Sequence, residues 1–119
     1  MPLIRVYRVL AKILFPLFPL TNCWGDFMTE KYIEKHLRKE VEKLGGKAFK
    51  FSSPGNNGVP DRIVLYQGRC FFVELKRPGE GLRPLQKVMV KMFKKLGFKV
   101  YVIDSIEKVR EFIDEICTT

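Results

Sequence analysis

Residues 62–75, RIVLY-QGR-CFFVEL, constrain the fold of this chain more than any other stretch. Two short runs rich in β-branched and aromatic residues flank a tight turn, and such a pattern folds as a β-hairpin. Two strands cannot bury a core alone, so further strands or helices must lie against them. The flanking sequence supplies both. Upstream, Thr29 is an N-cap before EKYIEKHLRKEVEKLGG, where Ile33, Leu37, Val41 and Leu44 recur at helical spacing and Gly45-Gly46 ends the helix. KAFKF reads as a short strand and SSPGNNGVP as a loop dense in breakers of regular structure. Downstream, RPGEGLRP is a second loop, and LQKVMVKMFKKLG is a helix expected to turn Leu85, Val88, Met89, Met92, Phe93 and Leu96 inward. KVYVID is a further strand and IEKVREFIDEIC a closing helix. The order is α-β-β-β-α-β-α, a small α/β sandwich without internal repeat or linker.

Residues 1–27 have a different character. Arg5, Arg8 and Lys12 precede ILFPLFPL, loosely in the manner of a signal peptide. Pro16 and Pro19 break any helix there, and the run falls short of the ~20 apolar residues a spanning helix needs. LTNC hints at a lipoprotein cleavage site, but Asn22 is bulky where a small residue is wanted. A membrane role would rest on this leader alone and is disfavoured. The genetic code offers a simpler account. Trp24-Gly25-Asp26-Phe27-Met28 must be encoded by TGG-GGN-GAY-TTY-ATG, a guanine-rich run just before ATG, as in a bacterial ribosome-binding site. Residues 1–27 are therefore read as a leader outside the native protein, with Met28 as its start and 28–119 as one domain.

Charge narrows the partners. Among 119 residues, 22 Lys and Arg stand against 13 Asp and Glu, a net charge of +9, while 46% hydrophobic and 13% aromatic content excludes a disordered chain. Such a basic excess suits a polyanion, nucleic acid ahead of an acidic membrane surface. Cys23, Cys70 and Cys117 are too widely spaced for a C-x-x-C zinc site and odd in number for a disulfide framework. They read as thiols of a reducing cytoplasm. His36 stands alone, which removes a His-based metal cluster.

The hairpin also carries charges where a core should form. Alternation puts Phe71, Val73 and Leu75 on one face of its second strand and Phe72, Glu74 and Lys76 on the other. Asp61 opens the preceding strand, and hairpin pairing brings it near Glu74, with Gly58 and Pro60 shaping the approach. Two clustered carboxylates ionise together readily only with a cation between them, and hard oxygen ligands suit Mg²⁺ or Mn²⁺. The ammonium of Lys76 could then activate water or offset charge on a phosphate, the requirements of phosphodiester hydrolysis. The plain alternative is a Glu74–Lys76 surface ion pair beside a turn aspartate.

GVPD, twelve intervening residues and ELK resemble the PD-(D/E)xK nuclease superfamily, with Pro60-Asp61 and Glu74-Leu75-Lys76 as the two halves. The form is most similar to the VRR-NUC (virus-type replication-repair nuclease) domain. TEKYIEKHL resembles that family's first helix, KFSSPGNNGVPDRIVL its approach to the aspartate, and LRPLQKVMVKMFKKLGFKVYVIDS its helix-strand tail. The likeness spans roughly residues 28–115.

This resemblance implies a restriction-endonuclease-like sandwich with a mixed central sheet flanked by helices. It implies Glu30 as a helix-borne metal ligand beside Asp61, Glu74 and the Leu75 carbonyl, with Glu34 as the substitute for Glu30. Asp61, Glu74, Lys76 and Gln86 would carry catalysis with Mg²⁺ or Mn²⁺. Lys47, Lys50, Ser53, Arg62, Arg77, Arg83 and Lys87 flank the motif as candidate phosphate contacts, with Ser52 a further donor, while Lys91, Lys94 and Lys95 fit a solvated helix face equally well. His36, near Arg38 and Lys39, reads as a surface residue. The expected activity is a metal-dependent DNA endonuclease, structure-selective and similar to Holliday-junction resolvases, acting as a homodimer on DNA such as branched junctions. The alternative is a non-catalytic nucleic-acid-binding module with the same fold.

Overall fold

The computed structural model describes residues 29–118. The readings of the leader, of Cys23 and of the Met28 start lie outside the described residues. The elements are helix α1 (Glu30–Lys43), strands β1 (Lys47–Lys50), β2 (Arg62–Tyr66) and β3 (Arg69–Leu75), helix α2 (Pro84–Lys95), strand β4 (Val100–Ile103) and helix α3 (Ile106–Thr118). They form one sheet in the order β1-β2-β3-β4, the first two pairings antiparallel and the last parallel. This is the mixed sheet with flanking helices, in the expected order.

Local chemistry accounts for each piece. The Thr29 hydroxyl accepts from the Tyr32 amide at 3.1 Å and caps α1. At the hairpin, Gln67 and Gly68 both take positive φ, 49° and 72°, which is the two-residue turn that matches strand twist. The turn is thus tighter than QGR, and Arg69 already belongs to β3.

Alternation along β3 decides what packs where. Phe71, Val73 and Leu75 face α1 and α3, where Ile33, Leu37, Val41, Val64, Ile103, Val109, Phe112, Ile113 and Ile116 complete the core. Phe71 meets Phe112 edge-on, ring centroids 6.0 Å apart. Phe72 faces the other way, toward α2, and packs on Phe93 at 4.8 Å, Phe98 at 5.7 Å and Phe51 at 5.9 Å.

The seating of α2 departs from expectation. Phe93 and the partly buried Met89 and Val90 turn toward the sheet, but Leu85, Val88, Met92 and Leu96 stand 47% to 68% exposed. The fully buried side chain of this helix is polar, Gln86. Gln86, Val90 and Phe93 share one line at i, i+4 and i+7, so seating that line leaves Leu85, Val88, Met92 and Leu96 to either side of it uncovered. The rotation has a cause: the Gln86 amide is bonded under the sheet's end.

Candidate active site

The candidate side chains Asp61, Glu74, Lys76 and Gln86 gather where β2 begins and β3 ends. Register pairs Arg62 with Val73, which sets Asp61 across from Glu74 one step further along. Asp61 Oδ1 accepts from the Leu75 amide at 3.1 Å, fixing the carboxylate against the end of β3. Pro60 just before it is fully buried. Gly58 takes φ 90°, and a Cβ there would lie 2.6 Å from the Leu85 carbonyl oxygen. Only glycine lets this loop close onto the start of α2.

Glu74, Lys76 and Gln86 are 4%, 6% and 4% exposed, so none is an ordinary surface charge. Gln86 Nε2 donates to Glu74 Oε1 at 3.2 Å and Oε2 at 3.4 Å. Its own Oε1 accepts from the Arg83 amide at 2.8 Å, so α2 begins where it grips the acid. Burial, with the charges of Asp61 and Glu30 added, pushes Glu74 up to about 7, against the pull of Lys76 and Arg83. Asp61 is likewise raised, chiefly by burial, and the charge of Glu30 adds to it, although the Leu75 amide, Arg62 and Lys76 act the other way. Asp61, just before β2, and Glu74 of β3 therefore both feel the charge of Glu30 at the start of α1 and that of the Lys76 ammonium.

Those acids bear on the metal expectation in a mixed way. Among the described residues no three acidic, histidine or cysteine side chains close into a ready-made ligand set. The donor chemistry nonetheless fits a hard divalent cation, because Asp61 and Glu74 lie together where burial and mutual charge disfavour ionising both, a cost that a bound cation would offset. Asp61 and Glu74 would hold such an ion, with the Leu75 carbonyl and Glu30.

The remaining expected residues divide. Glu34 is engaged elsewhere, 3.8 Å from Arg62 Nε and 4.0 Å from Arg38 Nη1. Arg62 is only 12% exposed and also donates from Nη1 to the Asp61 carbonyl at 2.8 Å. Its guanidinium is thus turned inward as a brace between α1 and β2, unlike the open placement expected of a phosphate contact. The Ser53 hydroxyl accepts from Asn56 Nδ2 at 2.9 Å within its own turn. Lys50, Arg77, Arg83 and Lys87 are exposed, as is Lys47, which lies 3.7 Å from Glu42. Lys91, Lys94 and Lys95 are exposed along α2. His36 lies 3.7 Å from Glu40, its pKa lowered mainly by burial.

One residue was missed. Glu80, in the loop after β3, lies 3.8 Å from Lys76 Nζ and accepts from Arg77 Nη2 at 3.1 Å. Its place four residues after Lys76 was the available signal, but in RPGEGLRP it reads as a solvated loop charge. Among the described residues no helix is long and apolar enough to cross a membrane.

No model of a protein family matches the sequence. The chain is 53% identical over 78 residues to "Putative nuclease p44" of Acyrthosiphon pisum secondary endosymbiont phage 1, covering 64% of this chain and 83% of that protein. It also superposes on a solved structure described as a VRR_NUC domain, with TM-score 0.66 and 33% sequence identity, over 71% of this chain and 94% of the other.

Proposed function

The chain belongs to the VRR-NUC family, and on that premise we propose that it is a metal-dependent DNA endonuclease that hydrolyses phosphodiester bonds and selects DNA by structure. The observation that carries this reading is the buried trio Glu74, Lys76 and Gln86 around the end of β3, with Gln86 bonded to Glu74 and the half-buried Asp61 beside it. A structural ion pair has no need of an acid that burial, with a second carboxylate added, holds toward neutrality.

Each residue then has a role. Asp61, Glu74, Glu30 and the Leu75 carbonyl would hold Mg²⁺ or Mn²⁺. Bound there, the ion would polarise the phosphoryl oxygen and acidify a water. Gln86 orients Glu74, and the Leu75 amide orients Asp61. Lys76 offsets charge building on the phosphate, for which it must leave Glu80. Lys47, Lys50, Ser53, Arg77, Arg83 and Lys87 contact the backbone, giving binding that weakens steeply with salt and reads shape rather than base sequence. Two such sites in a homodimer suit branched junctions of the Holliday type, in the cytoplasm of a bacterial or phage-infected cell.

The test offers the full chain labelled four-way junction, flap, single-stranded and linear duplex DNA, with Mg²⁺, Mn²⁺ or EDTA. Cleavage is expected with metal only, favouring branched DNA, and absent from Asp61→Ala and Lys76→Ala while both still bind. Unchanged cleavage by Asp61→Ala would refute the site. Binding without cleavage in every metal would make the protein a non-catalytic binding module.

A further inference from the structure

The loop after β3 sets a carboxylate where the nuclease reading calls for a phosphate. Lys76 continues the β3 ladder, its amide donating to the Ile103 carbonyl at 2.9 Å, so its backbone is fixed. Its side chain is buried, and an ammonium withdrawn from water needs an anion beside it. Among the described residues the acid within ion-pair distance is Glu80, whose Oε1 lies 3.8 Å from Lys76 Nζ. The other oxygen, Oε2, accepts from Arg77 Nη2 at 3.1 Å. One carboxylate thus bridges a buried cation and an exposed one.

The local sequence builds that bridge. Arg77-Pro78-Gly79-Glu80 closes on itself, the Glu80 amide donating to the Arg77 carbonyl at 2.9 Å, with Gly79 at φ 78°. Proline second and a positive-φ glycine third are what a type II turn takes, and the turn brings its first and fourth residues together. The hydrogen bond from Arg77, with the charges of Arg77 and Lys76 added, holds the Glu80 carboxyl below its ordinary value. It is an anion at neutral pH. Open space adjoins the turn, since a Cβ added at Gly79 or Gly81 would meet nothing within 4 Å. The bridge is therefore anchored at Lys76 and free to swing at Glu80.

We propose that Glu80 is a positioning residue that stands in for the phosphate at the cut, pairing with Lys76 and Arg77 in the free protein and yielding both to the DNA backbone. This rests on the nuclease reading, which gives both cations phosphate roles. The charges match. A carboxylate and a phosphodiester each carry one negative charge, so the exchange never leaves the buried ammonium unpaired. Every binding event must displace this anion, so DNA that cannot seat a phosphate between the two cations is held less well.

Anisotropy of fluorescent duplex and four-way-junction DNA, with the full chain in EDTA, tests the exchange without cleavage. Glu80→Gln should tighten binding about three- to tenfold. In a Lys76→Ala background the same substitution should gain less than about twofold, because the released partner is missing. Glu80→Asp keeps the charge but is one methylene too short to span both cations, so it should also bind more tightly than wild type. With Mg²⁺ the gain should appear in KM rather than kcat. A readout free of DNA is reductive methylation of Lys76, followed by peptide mapping. Inorganic phosphate should slow it in Glu80→Gln more than in wild type.

Unchanged affinity in Glu80→Gln, whatever its melting temperature, would mark a structural pair and overturn the proposal. An equal gain in the Lys76→Ala background overturns it too, as does Glu80→Asp at wild-type affinity, since either reduces Glu80 to background charge. A chain that binds DNA but never cuts it refutes the nuclease reading alone, and the affinities still decide the exchange. If no DNA binds, the phosphate readout decides, and equal methylation rates with and without phosphate in Glu80→Gln overturn the proposal.

Discussion

Removing the Glu74 charge should flatten the stability of the metal-free protein against pH. The folded state holds this carboxyl up at about 7, whereas its ordinary value is 4.5. Below pH 4.5 both folded and unfolded chains carry the proton, and Glu74 adds no slope. Between 4.5 and 7 the unfolded chain releases it while the folded chain keeps it, so stability falls as pH rises. Above 7 both forms are ionised and the whole penalty is present. At ~1.4 kcal/mol per tenfold, the gap amounts to about 3 kcal/mol, as a ceiling. Glu74→Gln keeps an oxygen for the Gln86 amide but has nothing to titrate. Urea unfolding in EDTA from pH 4.5 to 8 would measure both proteins. Wild type should weaken by up to about 3 kcal/mol across that range on account of Glu74, and the variant should keep only the slopes common to both proteins, a fall with pH from Asp61 and a rise from His36. Mn²⁺ at pH 7.5 should restore wild type by ~1.4 kcal/mol per tenfold excess over its dissociation constant and leave the variant largely unmoved. Parallel pH profiles for the two proteins would refute the account of buried acids straining against each other.

Two further outcomes test the supports of the site. Gly58→Ala places a Cβ 2.6 Å from the Leu85 carbonyl oxygen at a φ of 90°, so thermal unfolding should show a loss of about 1–3 kcal/mol, and the Gln86–Glu74 contact should loosen. Leu37→Ala opens the centre of the α1 contact and should lower stability by about 2–5 kcal/mol in denaturant titration.

Much of this molecule was legible in its sequence, for identifiable reasons. The return of Ile33, Leu37 and Val41 every four residues marks a face that is buried, because nothing polar interrupts it. The alternation through Phe71, Phe72, Val73 and Glu74 separates two sides of a strand, and the structure keeps that division. Pairing of Asp61 with the end of β3 follows from a short hairpin whose register has little freedom. The seating of α2 was not legible. Hydrophobic periodicity says that a helix has an apolar flank but not what covers it, and here a buried polar pair overrides it. Gln86 looks like a solvent-facing residue until its partner, Glu74, is known to lie beneath it. The inward turn of Arg62 was hidden for a similar reason, since an arginine beginning a strand is as compatible with DNA as with Glu34 of a distant helix.

Gln86 therefore acts as the clocking pin of its helix. One amide determines both how firmly an acid is presented at the sheet's end and which way four greasy side chains look. Rotating α2 to tuck those side chains away would drag the pin out of its socket, so the chain cannot become less adhesive by that route without slackening its grip on Glu74.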